Sequence, residues 1–387
     1  MSQLWVTREL EEYTIEIRRY FHRHPELSAR EENTQKRICE ELEKMGIPYQ
    51  CIPTYHVIAR LEGGKPGKKI VLRGDTDALP MQEESGLPFC SGNAGAAHTC
   101  GHDAHTAILL AAAKYLSEHR SKINGTVLFC FQGSEEIGGY GACEILPYLN
   151  SIGGADHALG LHVEPMLATG QIAAIPGARA AGSIGFKATI TGMGGHGSRP
   201  DRSLDPILPA CEAIQKISAI PCNRSCALEP LVINVGQMAS GNAYNAVPET
   251  AEFSGSIRYF DPQLPQKVLP IMRRMIEGTA ESYGETAKVE FEDIAYPVIN
   301  SDEACAIAEK VISETDGLSA GVTEPDMGSD DFCEFTAAYS GLYALLGTTD
   351  DLKKRYPLHH PKFYLDEGCL KYGVEFMIRY VAEFLNR

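Results

Sequence analysis

GSIGFKATITG, residues 182–192, reads as a strand, and the order of elements it opens decides the fold. Asp205–Ile220 reads as a helix. LVINVGQM (231–238) and ETAEFSGSIRYF (249–260) read as two strands, Gln266–Tyr283 as a helix, and AKVEFEDIA (287–295) as a strand. The order β-α-β-β-α-β is that of a ferredoxin-like α+β unit. On either side the pattern changes. Residues 4–24 read as an amphipathic helix ending at His24-Pro25, and Asn33–Met45 as a second helix closed by Gly46. KKIVLR (68–73), TVLFCF (126–131), HALGLHV (157–163) and GLYALLGT (341–348) read as strands. His105–Glu118, a stretch ending at Leu149 and the segment 368–385 supply helices between and after them. Strands alternating with helices predict an α/β domain with a mostly parallel mixed sheet flanked by helices. One domain is therefore inserted in another: residues 1–180 and 296–387 form the larger, and 181–295 the smaller.

The chain has 387 residues, enough for two domains, and no repeat or low-complexity tract. Apolar residues make up 44% and charged residues 22%, which excludes bulk disorder. The net charge of −16 argues against nucleic acid and anionic membrane surfaces as partners, since phosphate binding needs a basic footprint. No apolar run is long enough to span a bilayer. The opening MSQLWVTRELEEYTIEI carries early acids and no apolar core of a secretory signal. The twelve cysteines include no Cys-x-x-Cys pair. A cytoplasmic protein whose thiols are mostly small buried apolar side chains is the expectation.

The densest chemistry is His98-Thr99-Cys100-Gly101-His102-Asp103-Ala104-His105. Thiolate and imidazole are donors for borderline metals such as zinc, and the intervening glycine lets the backbone turn. Sites in α/β sheets form outside the carboxyl ends of strands. Asp75 and Asp77 follow KKIVLR, Glu135 and Glu136 follow TVLFCF, and His162 follows HALGL. Each has a plainer reading, as a turn, a helix start or a satisfied core imidazole; their joint placement is what argues for a metal centre. Adjacent glutamates can supply one ligand and one base for hydrolysis. Leu358-His359-His360-Pro361 offers one more imidazole.

FHRHPELS (21–28), LRGDTDALP (72–80), HTCGHDAH (98–105), QGSEE (132–136), GLHVEP (160–165), GMGGHGSRPDRSLDPI (192–207), GNAYNAVPE (241–249), GSIRYF (255–260), GSDDF (328–332) and LHHPKF (358–363) run in order over nearly the whole chain. In these motifs the sequence resembles the amidohydrolase branch of the dinuclear-metal aminoacylase and carboxypeptidase family, which includes hippurate hydrolase and the plant indole-acetyl-amino-acid hydrolases. The resemblance implies a catalytic α/β domain with an inserted ferredoxin-like lid that dimerises. It implies two divalent metal ions, zinc or manganese, bridged by Cys100. His102 and His162 would complete one site, and Glu136 and His359 the other. His359 is preferred to His360 because the family ligand stands two residues before the proline. Glu135 would be the general acid/base, and Asp77 and Asp103 would support the ligands. From the lid, His196 would stabilise the oxyanion, and Asn245 and Arg258 would hold the substrate carboxylate.

The implied activity is cleavage of the amide bond of N-acyl amino acids or related conjugates by metal-activated water. A dipeptidase or aminopeptidase of the same metal family, or a non-catalytic binding relative, is the alternative. Four departures bear on the substrate: Gln132-Gly133-Ser134 in place of Gln-Pro-Ala, Ala180, Ala181 and Ile184 near the first lid strand, Asp330-Asp331-Phe332 in place of Glu-Asp-Phe, and Arg199-Pro200-Asp201 in place of a Pro-His pair. Asp75 is left without a role.

Overall fold

A computed structural model describes residues 4–137, 141–226 and 228–387. The chain divides into two compact units. The first runs to Arg179 and resumes over Val298–Glu324 and Asp330–Arg387; the second is Ala180–Pro297 with Pro325–Ser329.

The first unit is built on an eight-stranded sheet. Its order is Tyr49–Ile52, His56–Glu62, Asn124–Gln132, Lys65–Asp75, His157–Glu164, Gly341–Gly347, Gln171–Ala173 and Ser319–Ala320. The four central strands are parallel, and the first two join the edge antiparallel. Ile70, Leu72, Val127, Phe129, Leu159 and Leu161 point into one core with the helices Arg8–Arg23, Glu32–Met45, His102–Glu118 and Leu370–Leu385. Val71, Leu128 and Ala158, one residue out of phase, are equally buried. Both faces are covered, so these strands read as continuous apolar runs. Thr7 caps the first helix, its hydroxyl accepting the Leu10 N–H at 3.3 Å, so that helix starts at Arg8 rather than residue 4.

The helix expected from His105 begins one turn earlier, at His102. Its cap is Gly101 with φ of +89°, and a Cβ there would stand 2.4 Å from the Val163 side chain. Only glycine permits that close approach of helix start to strand.

In the second unit the sheet order is Leu231–Ser240, Thr250–Tyr259, Gly182–Thr191 and Thr286–Ala295, all antiparallel. Helices Ile207–Ser218 and Leu264–Ser282 pack on one face. Ile184, Phe186, Ala188 and Ile190 meet Ala213, Ile217, Met272 and Ile276 in a separate core. This is the split β-α-β-β-α-β arrangement. Among the described residues no helix is long and apolar enough to cross a membrane.

The cysteine expectation needs correcting. Only Cys100, Cys130, Cys305, Cys333 and Cys369 are buried; Cys51, Cys143, Cys211, Cys222 and Cys226 are exposed. The exposed ones sit on an edge strand, on helices and in a loop, where a small thiol needs no burial.

Candidate metal centre

The parallel strands deliver their carboxyl ends to one place. Asp75 ends its strand, Glu135 and Glu136 follow Gln132, and His162 lies near the end of the third strand. Helix His102–Glu118 starts against them. The donor atoms of Cys100, Glu136 and His359 lie within 4.8 Å of one another, as do those of His102, Glu135 and Glu136, and those of Asp75, His102, His105 and His162.

Hydrogen bonding separates donors that are committed from donors that are free. Asp75 faces Arg73 Nη1 and His105 Nδ1, each at 2.5 Å. His105 accepts the Val163 N–H at Nε2, 2.9 Å, so both its nitrogens are engaged. His102 turns Nδ1 to Asp77 at 3.3 Å. Its Nε2 is buried without a hydrogen bond, 3.6 Å from Asp75 Oδ2 and 3.8 Å from Glu136 Oε1. Glu136 Oε1 is likewise buried without a hydrogen bond, and His359 Nε2 is 3.5 Å from it. His162 donates from Nδ1 to its neighbour's carbonyl at 2.8 Å, which leaves Nε2 facing Cys100 Sγ at 3.6 Å. Two orphaned lone-pair atoms, an imidazole nitrogen and a carboxylate oxygen, ringed by thiol and imidazole, fit a cation of the borderline class. His360 is elsewhere, stacked on Tyr356 with ring centres 4.8 Å apart.

Charge follows the same geometry. Burial, then His105, depresses His162 to about 3, keeping it a neutral lone-pair donor. Burial pushes the Cys100 thiol up, so a bound cation must displace its proton. Burial and then Asp330 and Asp331 push Glu135 well above the usual carboxylate range, the direction a general acid/base requires.

The loop carrying the glutamates is pinned through its backbone. Gly133 N–H donates to His56 Nδ1 (3.0 Å), Ser134 N–H to Glu31 Oε1 (2.7 Å) and Glu136 N–H to Asp77 Oδ2 (3.0 Å). Ser134 has φ of +63°, and its hydroxyl accepts the Ala29 N–H at 2.9 Å. His359 also has φ of +63°. Left-handed backbone in non-glycine residues is costly, and here it is held on both sides of the donor set.

Asp103 is placed differently from the other residues of its motif. It receives Arg18 Nε at 2.7 Å and faces His22 Nδ1 at 2.8 Å, beneath the helix rather than against His102. Sequence reading missed Arg73, and placed His105 in the donor cluster without giving it a role. Arg73 is buried and bonds Asp75, Gln132 and Asp331, and an arginine inside a buried strand was the available signal. His105 sits one helical turn from His102.

His196, Asn245 and Arg258 belong to the second unit. His196 lies on a two-residue strand paired with Ala246–Val247, is exposed, and has Nδ1 2.9 Å from the Ser198 hydroxyl. Asn245 immediately precedes the paired strand and its carbonyl accepts the Gly197 N–H at 2.9 Å. Arg258 lies in the strand Thr250–Tyr259 and donates to the Ser329 hydroxyl at 2.9 Å.

Free imidazole, thiol and carboxylate donors at the carboxyl ends of parallel strands, with a second carboxylate beside them, define a metal-dependent hydrolase. The chain belongs to peptidase family M20/M25/M40, whose family model matches residues 71–383. It is 35% identical over 385 residues to thermostable carboxypeptidase 1 of Saccharolobus solfataricus, covering 98% of this chain and 97% of the relative. It is 38% identical over 296 residues to an N-acyl-L-amino acid amidohydrolase of Geobacillus stearothermophilus, covering 76% and 80%. Among solved structures it is similar to the Bacillus subtilis YXEP protein, a dinuclear metal binding peptidase of the M20 family. The TM-score is 0.86 and the identity 30%, with 98% of this chain and 99% of that one covered. The protein is a metal-binding hydrolase of amide bonds.

Proposed function

We propose that the chain hydrolyses N-acyl amino acids or related small conjugates. The observation that carries this reading is the placing of Glu135, a carboxylate with a raised pKa, beside orphaned His102 Nε2 and Glu136 Oε1. In this reading Cys100, His102, Glu136, His162 and His359 hold two divalent ions, zinc or manganese, and the Cys100 thiolate favours zinc or another borderline metal over magnesium. Bound divalent ions supply Lewis acidity, acidifying water and polarising an amide carbonyl. Glu135 takes the proton of the attacking water and returns it to the leaving amine. Asp77 fixes the His102 tautomer so that the Nε2 lone pair faces outward. His196 donates to the developing oxyanion, and Asn245 and Arg258 pair with the free carboxylate of the amino acid. The second unit acts as lid and dimer surface, and the cytoplasm is the compartment proposed.

The test is a panel of N-acetyl and N-benzoyl amino acids against free dipeptides, on metal-reconstituted enzyme. Faster turnover of the acylated compounds supports the reading; preference for peptides with a free amine replaces it with a dipeptidase. Glu135→Ala should keep its bound metal and lose turnover by about 10²-fold or more. Retained activity would remove Glu135 from the chemistry.

A further inference from the structure

Helix Glu32–Met45 lies beside the edge strand Tyr49–Ile52, and each carries one cysteine toward the other. Cys39 Sγ and Cys51 Sγ are 3.6 Å apart. Cys39 is half-buried on the helix and Cys51 is exposed. The strand is paired on one side only, with Cys51 opposite Val57, so the outer edge of the sheet is open to solvent at this point. The intervening chain turns at Gly46, whose φ of +66° ends the helix. A disulfide needs about 2.05 Å between sulfurs. At 3.6 Å the two sulfurs are already in van der Waals contact.

We propose that Cys39 and Cys51 form a redox-active dithiol site, oxidised by peroxides to an intramolecular disulfide and restored by thiols. The steps balance. Cys51, the exposed partner, attacks one oxygen of hydrogen peroxide as its thiolate, giving a sulfenic acid while the other oxygen leaves as water. Cys39 then attacks the Cys51 sulfur, and the sulfenic hydroxyl departs as water with the Cys39 proton. Two thiols lose two electrons and two protons, and one peroxide becomes two waters. Burial and the Cys51 contact push Cys39 up to about 12, so it keeps its proton until that second step and Cys51 meets the oxidant first. In a reducing compartment such a bond is transient. Neither cysteine belongs to the donor set of the metal centre, so the site is separate from the hydrolytic chemistry.

The test uses the full-length, metal-loaded protein treated with hydrogen peroxide, blocked with an alkylating agent and mapped by mass spectrometry. The expected result is a peptide joining Cys39 to Cys51, two hydrogens lighter than its reduced parts, with loss of two titratable thiols per chain and full recovery on adding dithiothreitol. Cys39→Ser should stop Cys51 at a sulfenic acid that a dimedone probe traps. Cys51→Ser should leave Cys39 reduced. Both variants should hydrolyse substrate as the parent does. Oxidation of Cys51 together with exposed Cys211 to the same extent, with no joined peptide, would overturn the proposal. So would a joined peptide linking two different chains.

Discussion

Replacing Asp103 with asparagine separates two roles for that carboxylate. It is fully buried, its Oδ2 is 2.7 Å from Arg18 Nε and 2.8 Å from His22 Nδ1, and Arg18 is 1% exposed. The next anion for Arg18 is Glu367 at 3.5 Å, on a partly exposed side chain. The amide would keep the shape, remove the charge, and leave a buried guanidinium facing a weaker acceptor. Breaking one partner of a buried pair costs about 3–5 kcal/mol. A domain commonly has about 5–15 kcal/mol in total. Asp103→Asn should therefore remove a large share of the stability of the first unit, read as a lower denaturant midpoint at unchanged slope. Metal content of the folded fraction should stay at the parent level, because the carboxylate faces Arg18 and His22 rather than His102. The double change Arg18→Met with Asp103→Leu should cost much less than the sum of the two single changes. A stability loss under about 1 kcal/mol would refute the bracing role. Normal stability with depleted metal would restore the ligand-supporting role that the sequence resemblance implied.

Other expectations rest on the same geometry. Ser134→Ala removes the acceptor for the Ala29 N–H and should cost about 1 kcal/mol. Ser134→Gly loses the same bond but relieves a left-handed φ worth about 1–2 kcal/mol, so it should be the more stable of the two by urea denaturation. In both, kcat should fall with KM nearly unchanged, since the loop held is the one carrying Glu135. Cys100→Ala should lower the metal content measured by elemental analysis, and full occupancy would contradict its ligand role. His157, buried with Nε2 2.7 Å from the Tyr380 hydroxyl, is held at about 4 by burial and then by Lys68. Its folded pKa is below the unfolded value of about 6.5, so its stabilising effect is complete above that value and is lost as pH falls towards 4. Unfolding free energies at about pH 7.5 and about pH 5 should differ by about 2 kcal/mol more in the parent than in His157→Phe.

Much of the architecture was legible because period and punctuation agree. The strands over residues 68–73, 126–131 and 157–163 carry apolar runs that only a sheet covered on both faces explains, and the β-α-β-β-α-β order named the second unit's topology. Boundaries were less legible. The helix starting at His102 was read from His105 because its first turn is polar and faces the donor set rather than the core. The donor residues could be singled out by type and by strand-end position. Which donors are free could not. His105 and His102 share a helix and differ only in what their nitrogens meet, Asp75 and Val163 for one and an orphaned Nε2 for the other. Cysteine burial failed for a similar reason: composition says how many thiols there are, while exposure depends on which face of an element each one occupies.

The contact of Gly101 with Val163 has a consequence for how this centre can change over generations. Val163 presses its side chain on Gly101, gives its N–H to His105 and takes the His162 Nδ1 proton on its carbonyl. Position 163 could shrink on its own, but that change alone would not let position 101 gain a side chain. A side chain at 101 meets both a backbone penalty and a collision, and relieving the collision at 163 leaves the penalty in place. The spacing between the helix that begins at His102 and the strand that carries His162 is thus frozen by a single missing methyl group.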